Sequence, residues 1–508
     1  MANIVMNCDL AVIGAGGSGL VAAVKAKHLG VKDVIILEAA KKSGGSIWFA
    51  GWSGSGYTKW HKEAGYTDTT DDTFRQRIKS LNWDIDYKLI RNWAENEGPM
   101  FDWFDELCDV SDFFKKPKPY VKPAAGRPGD PQDMGGIMDG GFRRDFINKK
   151  SRDLSIGPGN GGSYLVTRMR EQCEKMGIQI LAETRAKEFI KDAKGNVTAL
   201  LADVKDGKLQ VNFKACIAAA GGFGANIDKL KKRWPEFFDF DNDDHSIHFF
   251  SCPTSNGDCI DMAEKIGALV DYKKMNMEFG GPVHHPYSFT IFKVAQFPDV
   301  PCVNLNGERF WNETDLAWIA HYTLGKQPKG ECYAIMDDDM VEGATTRFIK
   351  SDPLEAMPFD DNGLRKDIEY EVALDESGAA GNHTKKADTF EELAKKMKID
   401  PKTFVATMNR YNEYCDKGRD LDFYKQPENL KALRKPPFYA FWMQNFANTT
   451  HNGIVINGNM EMVNAGSKKA IPNLFAAGDN AQAMDGGTRW ATASGYMAGI
   501  AAAKYIKA

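Results

Sequence analysis

An α/β fold, with a parallel sheet flanked by helices and an inserted segment of mixed α+β character, is what these 508 residues predict. Three observations predict it. First, "CDLAVIGAGGSGLVAAVKAKHLG" (8–30) reads as an apolar strand, a glycine turn and a helix, and "DVIILEAA" (33–40) as a second strand, together a βαβ unit. Second, the same character returns near the end of the chain, where "NLFAAGDNAQ" precedes the small-residue helix "TASGYMAGIAAAKYI". Third, residues 280–448 differ, with more prolines, polar loops and the lysine-rich helices "TFEELAKKMKI" and "PKTFVATMNRYNEYC". The length itself argues for more than one core.

Between these landmarks, "RIKSLNWDIDYKLIRNWAENEGPMFDWFDEL" repeats its apolar positions at helical spacing and predicts one or two amphipathic helices. Residues 159–204 read as helix, strand and antiparallel hairpin, with "KGN" as the turn. The segment "ACIAAAGGFGAN" reads as a buried strand ending in glycines.

Composition narrows the function. With 26% charged residues and a formal net charge of −4, no large cationic surface points to nucleic acid. No apolar run reaches the roughly 18–20 residues that span a bilayer, and "MANIVMNCDL" lacks a basic region followed by an apolar one. A cytoplasmic protein is expected. The nine cysteines are scattered without CxxC or paired zinc spacing, which predicts reduced buried thiols and no haem, iron–sulfur cluster or metal.

Gly14, Gly16 and Gly19 form GxGxxG after a strand and at a helix start, with Ala15, Gly17 and Ser18 completing the loop. Missing side chains let the turn close, let backbone N–H groups approach a pyrophosphate and let helix pack on sheet. Glu38 ends the second strand, where a carboxylate accepts hydrogen bonds from a ribose. A dinucleotide follows. Ser43, Gly44, Gly45 and Ser46 come soon after Glu38 and Ala39, and "FAAGDNA" brings Gly478 and Asp479. An extended FAD has a ribityl chain for a second acid and NAD has none, so FAD is preferred. An ordinary turn aspartate is the other reading of Asp479. Ala186 and Gly221 are further candidates for cofactor contact.

Together these segments resemble the FAD-dependent fumarate reductase, succinate dehydrogenase and 3-oxosteroid dehydrogenase family, which includes urocanate reductase. The resemblance spans nearly the whole chain and rests on "AVIGAGGSGLVAA", "LEAAKKSGGSIWFAGW", "AAAGGFGAN", "SNGDCIDMAEKIGA", "HHPYS", "LNGERFWNE", "HNGIVIN", "NLFAAGDNA" and "ASGYMAGIAAA". It implies a Rossmann-like, glutathione-reductase-type FAD-binding domain over 1–279 and 449–508, with a capping domain over 280–448. It also implies hydride transfer between non-covalent FAD and an activated C=C bond, with an external electron donor such as NADH, reduced flavin or a small carrier. No second strand–GxGxxG–helix suggests a separate nicotinamide domain.

By position, His285 resembles the family histidine at the substrate's polar end, and Arg489 the arginine that clamps a carboxylate. A structural histidine and a surface ion pair are their alternatives. Thr449 falls where a second family histidine stands, and His451, two residues on, is a replacement or a structural residue. The N-terminus of the final helix, expected around Ala493 and Ser494, would aim its dipole at the flavin, or its small residues reflect tight helix–sheet packing.

One departure changes the substrate expected. The family's proton-delivering arginine maps to Ala317, between Leu316 and Trp318. Fumarate is therefore a poor fit, and His321, Tyr287, Tyr322, Asp315 and Asp485 become candidate acids. Trp48, Trp52, Trp311, Trp318 and Trp490 lie in segments that the family places around flavin and substrate. They suit a bulky or aromatic unsaturated acid or enone, and core packing is the alternative for each. The reverse desaturation of a ketosteroid-like ketone competes with this reading. A flavin-binding electron-transfer subunit without substrate chemistry is the alternative of another class.

Overall fold

The computed structural model describes residues 4–49, 57–65, 70–71, 74, 86–110, 161–233, 235, 248–249, 252–272, 276–280, 299–314, 323–343, 363–378, 384–450, 453–482 and 487–508. In chain order the strands are β1 (Ile4–Ile13), β2 (Val34–Leu37), β3 (Gln179–Leu181), β4 (Arg185–Lys191), β5 (Val197–Val204), β6 (Gly207–Ala218), β7 (His248–Phe249), β8 (Val270–Asp271), β9 (Asn276–Gly280), β10 (Cys302–Asn304), β11 (Glu331–Met336), β12 (Thr384–Ala387), β13 (Phe438–Thr449), β14 (Gly453–Ile454), β15 (Glu461–Val463) and β16 (Ala470–Ala476). The helices are α1 (Gly17–His28), α2 (Lys59–Glu63), α3 (Tyr87–Cys108), α4 (Gly161–Lys175), α5 (Ile227–Arg233), α6 (Asp258–Lys265), α7 (Gly363–Ser377), α8 (Phe390–Met397), α9 (Pro401–Lys417) and α10 (Gly487–Lys507).

The first sheet runs β15-β16-β6-β1-β2-β3, and β16, β6, β1, β2 and β3 are parallel. Its central strands are apolar on both faces, as a sheet covered on each side requires: Leu10, Ala11, Val12, Ile36, Ala215, Cys216 and Ile217 are all buried. The long β6 also pairs antiparallel with β5, which in turn pairs antiparallel with β4. The "KGN" turn is held by Asp192, whose carboxylate accepts from Lys194 N and Asn196 N at 2.9 Å each.

Helix α10 lies against α1. A Cβ on Gly495 would overlap the Ser18 carbonyl, and one on Gly499 would come within 2.6 Å of Ala22 O. The small residues of this helix therefore serve a close helix–helix contact. On the other flank α3 presents Ile90, Trp93, Met100, Phe101 and Phe104 to the same core.

A second sheet is ordered β10-β11-β13-β12, and the second half of β13 pairs with β7 and β9. Most of its strands fall within 280–448, but β7 lies before that range, β9 ends on its first residue and β13 runs one residue past its end. Helices α7, α8 and α9 share its separate apolar core. Helix α8 starts where Thr389 accepts from Glu392 N at 3.2 Å, and α9 where Asp400 accepts from Thr403 N at 2.9 Å ahead of Pro401. The small pair β8–β14 makes a third, two-stranded sheet.

The "GERFWNE" turn is fastened inside the second core. Arg309 forms two parallel bonds to Glu313, at 3.0 and 2.8 Å, and a third to Asp420 at 3.0 Å. Lys425 approaches the same Glu313 at 3.3 Å, and the Cys302 N–H donates to it at 3.0 Å. Two cations and two anions thus balance with almost no exposure. All nine cysteines are free thiols. Among the described residues, no helix is long and apolar enough to cross a membrane.

Candidate functional site

Strand β1 is followed by Gly14, whose φ of +102° and close approach to Ala219 O, 2.5 Å from where a Cβ would stand, require glycine. Helix α1 then begins with Gly16 as its N-cap, with no side-chain cap and no acid in the first turn. Among the described residues, a Cβ on Gly16 would meet only Gly44 O, at 3.9 Å, whereas one on Gly19 would overlap Gly14 O. The turn is closed on the protein side and open over the helix start. Uncapped N–H groups beside open space are the donor set that a pyrophosphate needs, so these residues fit a dinucleotide.

The neighbouring elements complete the cradle. Gly44 N donates to Ala15 O at 2.9 Å, which lays Ser43–Ser46 alongside the first turn. Glu38 is 7% exposed, and its two oxygens accept from Ala15 N and Ala40 N at 2.7 Å each. Each oxygen keeps a second lone pair for a hydroxyl. Ala39 lies between Glu38 and Ala40 in this bend. Ala186 is buried in β4, just past Thr184, whose N–H donates to Glu38 O at 2.8 Å. Ser46 Oγ accepts from Cys252 N at 2.9 Å.

At the far end of the sheet, Gly221 follows β6 with φ +77°, and Gly478 follows β16 with φ +72°. Asp479 accepts from Thr450 N at 3.3 Å. Asn480, fully buried, was not singled out from sequence. Its side chain accepts from Ala220 N at 2.6 Å and donates to Ala218 O at 3.0 Å, so it ties the two turns together. Asn480→Ala is expected to cost about 1–2 kcal/mol, since it removes the partner of the half-buried Ala220 N, while Ala218 O keeps its bond from Ala477 N. Thermal unfolding checks this, and an unchanged midpoint would count against the clasp.

The start of the final helix differs from expectation. Helix α10 begins at Gly487, so Ala493 and Ser494 lie well inside it rather than at its N-terminus. Thr492, Thr488 and the residues around them already form helix, because "GTRWATAS" contains no breaker after Gly487. Ser494 Oγ instead accepts from Gly478 N at 2.9 Å, and Trp490 Nε1 donates to Gly478 O at 3.2 Å. Both side chains hold the Gly478 turn.

Arg489, next to Trp490, is not at the surface. Its Nε donates to Glu97 Oε1 at 2.5 Å, and Glu97 is fully buried on α3. Glu97 had a sequence signal: it stands four residues after Trp93 and four before Phe101, in the middle of an apolar helical stripe. A carboxylate there needs a partner. Trp490 and Trp93 pack edge to face at 5.6 Å in the first core, and Trp311 stacks on Phe310 in the second. The alternative of core packing holds for those two tryptophans. His285, Tyr287, His321, His451, Asp315, Ala317, Trp318, Tyr322, Trp52, Asp485 and the side chains of Trp48 and Thr449 lie outside the described residues.

Comparison with known proteins places this geometry. A family described as an FAD binding domain matches residues 9–494. A fumarate reductase (cytochrome) of Shewanella frigidimarina is 25% identical over 98% of this chain and 77% of its own length. A vinyl phenol reductase of Lactiplantibacillus plantarum is 23% identical over 97% of this chain and 94% of its own. The open conformation of a flavocytochrome c3 fumarate reductase superposes with a TM-score of 0.69 at 21% identity, covering 99% of this chain and 79% of that one. At that identity the superposition speaks to the fold: a Rossmann-like FAD-binding α/β domain with further sheet and helical insertions.

Proposed function

The chain belongs to the FAD binding domain family and is an FAD-dependent oxidoreductase of the CH–CH/C=C type, and from that premise we propose that it reduces the activated C=C bond of a bulky or aromatic unsaturated acid or enone. Bound FAD supplies the two-electron hydride chemistry, replenished by an external donor such as NADH, reduced flavin or a small carrier. The net change is one hydride to the β-carbon and one proton to the α-carbon.

The chain's own residues hold and orient. The N-terminus of α1, with Gly14, Gly16 and Gly19, binds the pyrophosphate. Glu38 binds the adenosine ribose and Asp479 the ribityl hydroxyls, while Ser43–Ser46, Ala186 and Gly221 line the remaining length. Residues 280–448 form the cap that excludes water. Arg489 and His285 orient the substrate's oxygen, His451 takes the place of the second family histidine, and the proton carrier is one of His321, Tyr287, Tyr322, Asp315 and Asp485.

One observation carries this reading. Trp490 and Ser494 bond the Gly478 turn, so the helix that bears Arg489 is fixed to the edge of the cofactor cradle. The relative acting on vinyl phenol supports a substrate larger and less charged than fumarate. The experiment is anaerobic. Holoprotein reduced with dithionite should recover its oxidised flavin spectrum when an arylacrylate, vinyl arene or cyclic enone is added. If no member of such a panel reoxidised it, the reductase reading would fail. Bleaching of oxidised flavin by a saturated ketone would favour desaturation.

A further inference from the structure

We propose that Glu97 is a specificity-determining residue that neutralises Arg489, so that the site takes an uncharged activated alkene, an enone or vinyl arene, in preference to its carboxylate counterpart. This rests on the reading of Arg489 as the substrate-facing arginine.

The pair is built to stay together. Glu97 sits on α3 and Arg489 on α10, with 2.5 Å between Oε1 and Nε, and their side chains are 1% and 11% exposed. Trp93 lies one helical turn before Glu97, and Trp490 directly follows Arg489; their rings pack edge to face at 75°. The contact between the two indoles fixes both helices at the level of the ion pair. Glu97 is buried and Arg489 nearly so, which keeps the pair largely out of water.

An arginine held this way is a different ligand from a lone arginine. A substrate carboxylate would be attracted by the guanidinium and repelled by Glu97 from only slightly further away, and low polarity strengthens both effects. Most of the gain from the cation is offset, while the cost of stripping water from the carboxylate remains. A carbonyl or phenol oxygen loses little. It carries no full charge to be repelled, and it accepts hydrogen bonds from a guanidinium that Glu97 has already oriented. The sequence points the same way: Ala317 stands where the family places a further arginine.

The test compares two ligands of one shape, cinnamate and cinnamamide, by their perturbation of the oxidised flavin spectrum in full-length holoprotein. Wild type should bind the amide about tenfold more tightly or better, and Glu97→Gln should shift the ratio at least about tenfold towards cinnamate. The double variant Glu97→Gln, Arg489→Gln, with neither charge, should return to preferring the amide. A wild-type preference for cinnamate, or the same ratio in wild type and Glu97→Gln, would overturn the role of Glu97. Failure of both ligands to bind wild type would instead overturn the aryl-alkene substrate class, and this inference with it. Should Glu97→Gln not fold, the wild-type ratio decides alone.

Discussion

Arg309→Met is expected to destabilise the protein by about 3–5 kcal/mol, the loss typical of removing one partner from a buried ion pair. The substitution keeps much of the side-chain volume and removes the guanidinium. Glu313 would keep Lys425 at 3.3 Å and the Cys302 N–H at 3.0 Å, and Asp420 would keep only backbone donors among the described residues, including Asp422 N and Lys425 N at 3.0 and 3.3 Å. Arg309→Lys should recover only part of the loss, because an ammonium cannot reproduce the paired bonds of 3.0 and 2.8 Å to Glu313. Midpoints of urea unfolding, followed by a probe in the second core, measure the effect. A midpoint for Arg309→Met equal to that of wild type would show that the network contributes nothing.

The same network gives an acid limit. Burial alone would raise the Glu313 carboxyl, but the charges of Lys425 and Arg309 overcome it and hold the group below its ordinary value. A lowered folded value means that the stabilisation is complete above the unfolded glutamate value of about 4.3. It is lost as pH falls through the lower folded value. Glu313→Gln should therefore be less stable at neutral pH and lose less stability on acidification than wild type does.

How much of this was legible in sequence depended on the range of the interaction. The cradle was legible because its logic is local: a strand, three glycines and a helix specify the Gly14–Gly19 turn, and Glu38 closes the next strand. The fastening of "GERFWNE" was not. Arg309 and Glu313 are four residues apart, but their partners Asp420 and Lys425 are more than a hundred residues on, and no short motif shows which distant loop returns. Glu97 was half-visible, as a carboxylate in an apolar stripe, though its partner is 392 positions away. The start of α10 was missed for another reason. The helix runs back through "GTRWAT" to Gly487, so its dipole does not start at Ala493 and Ser494, and the small residues Gly495 and Gly499 serve tight packing, against α1.

The glycine turn separates binding from folding more sharply than any other position. Gly16→Leu should give a folded protein that has lost FAD. Its backbone, at φ −81° and ψ −173°, is open to any residue, and among the described residues a Cβ meets protein only at 3.9 Å. Among the described residues the direction of a Gly16 side chain is open where a pyrophosphate is expected. Losing the approach of phosphate to one or two N–H groups, each about 1.5–3 kcal/mol to a charged acceptor, weakens FAD binding roughly 10- to 10⁴-fold. Gly19→Ala should behave otherwise, because its single added carbon would overlap Gly14 O inside the turn. There α1 must move off β1, so helix content and flavin are lost together. Far-ultraviolet circular dichroism and flavin released on denaturation distinguish the two. If Gly16→Leu kept a full complement of FAD, the pyrophosphate would have to lie elsewhere. If Gly19→Ala kept both its fold and its flavin, the close contact of α1 with the Gly14 turn would not be what sets the turn's shape.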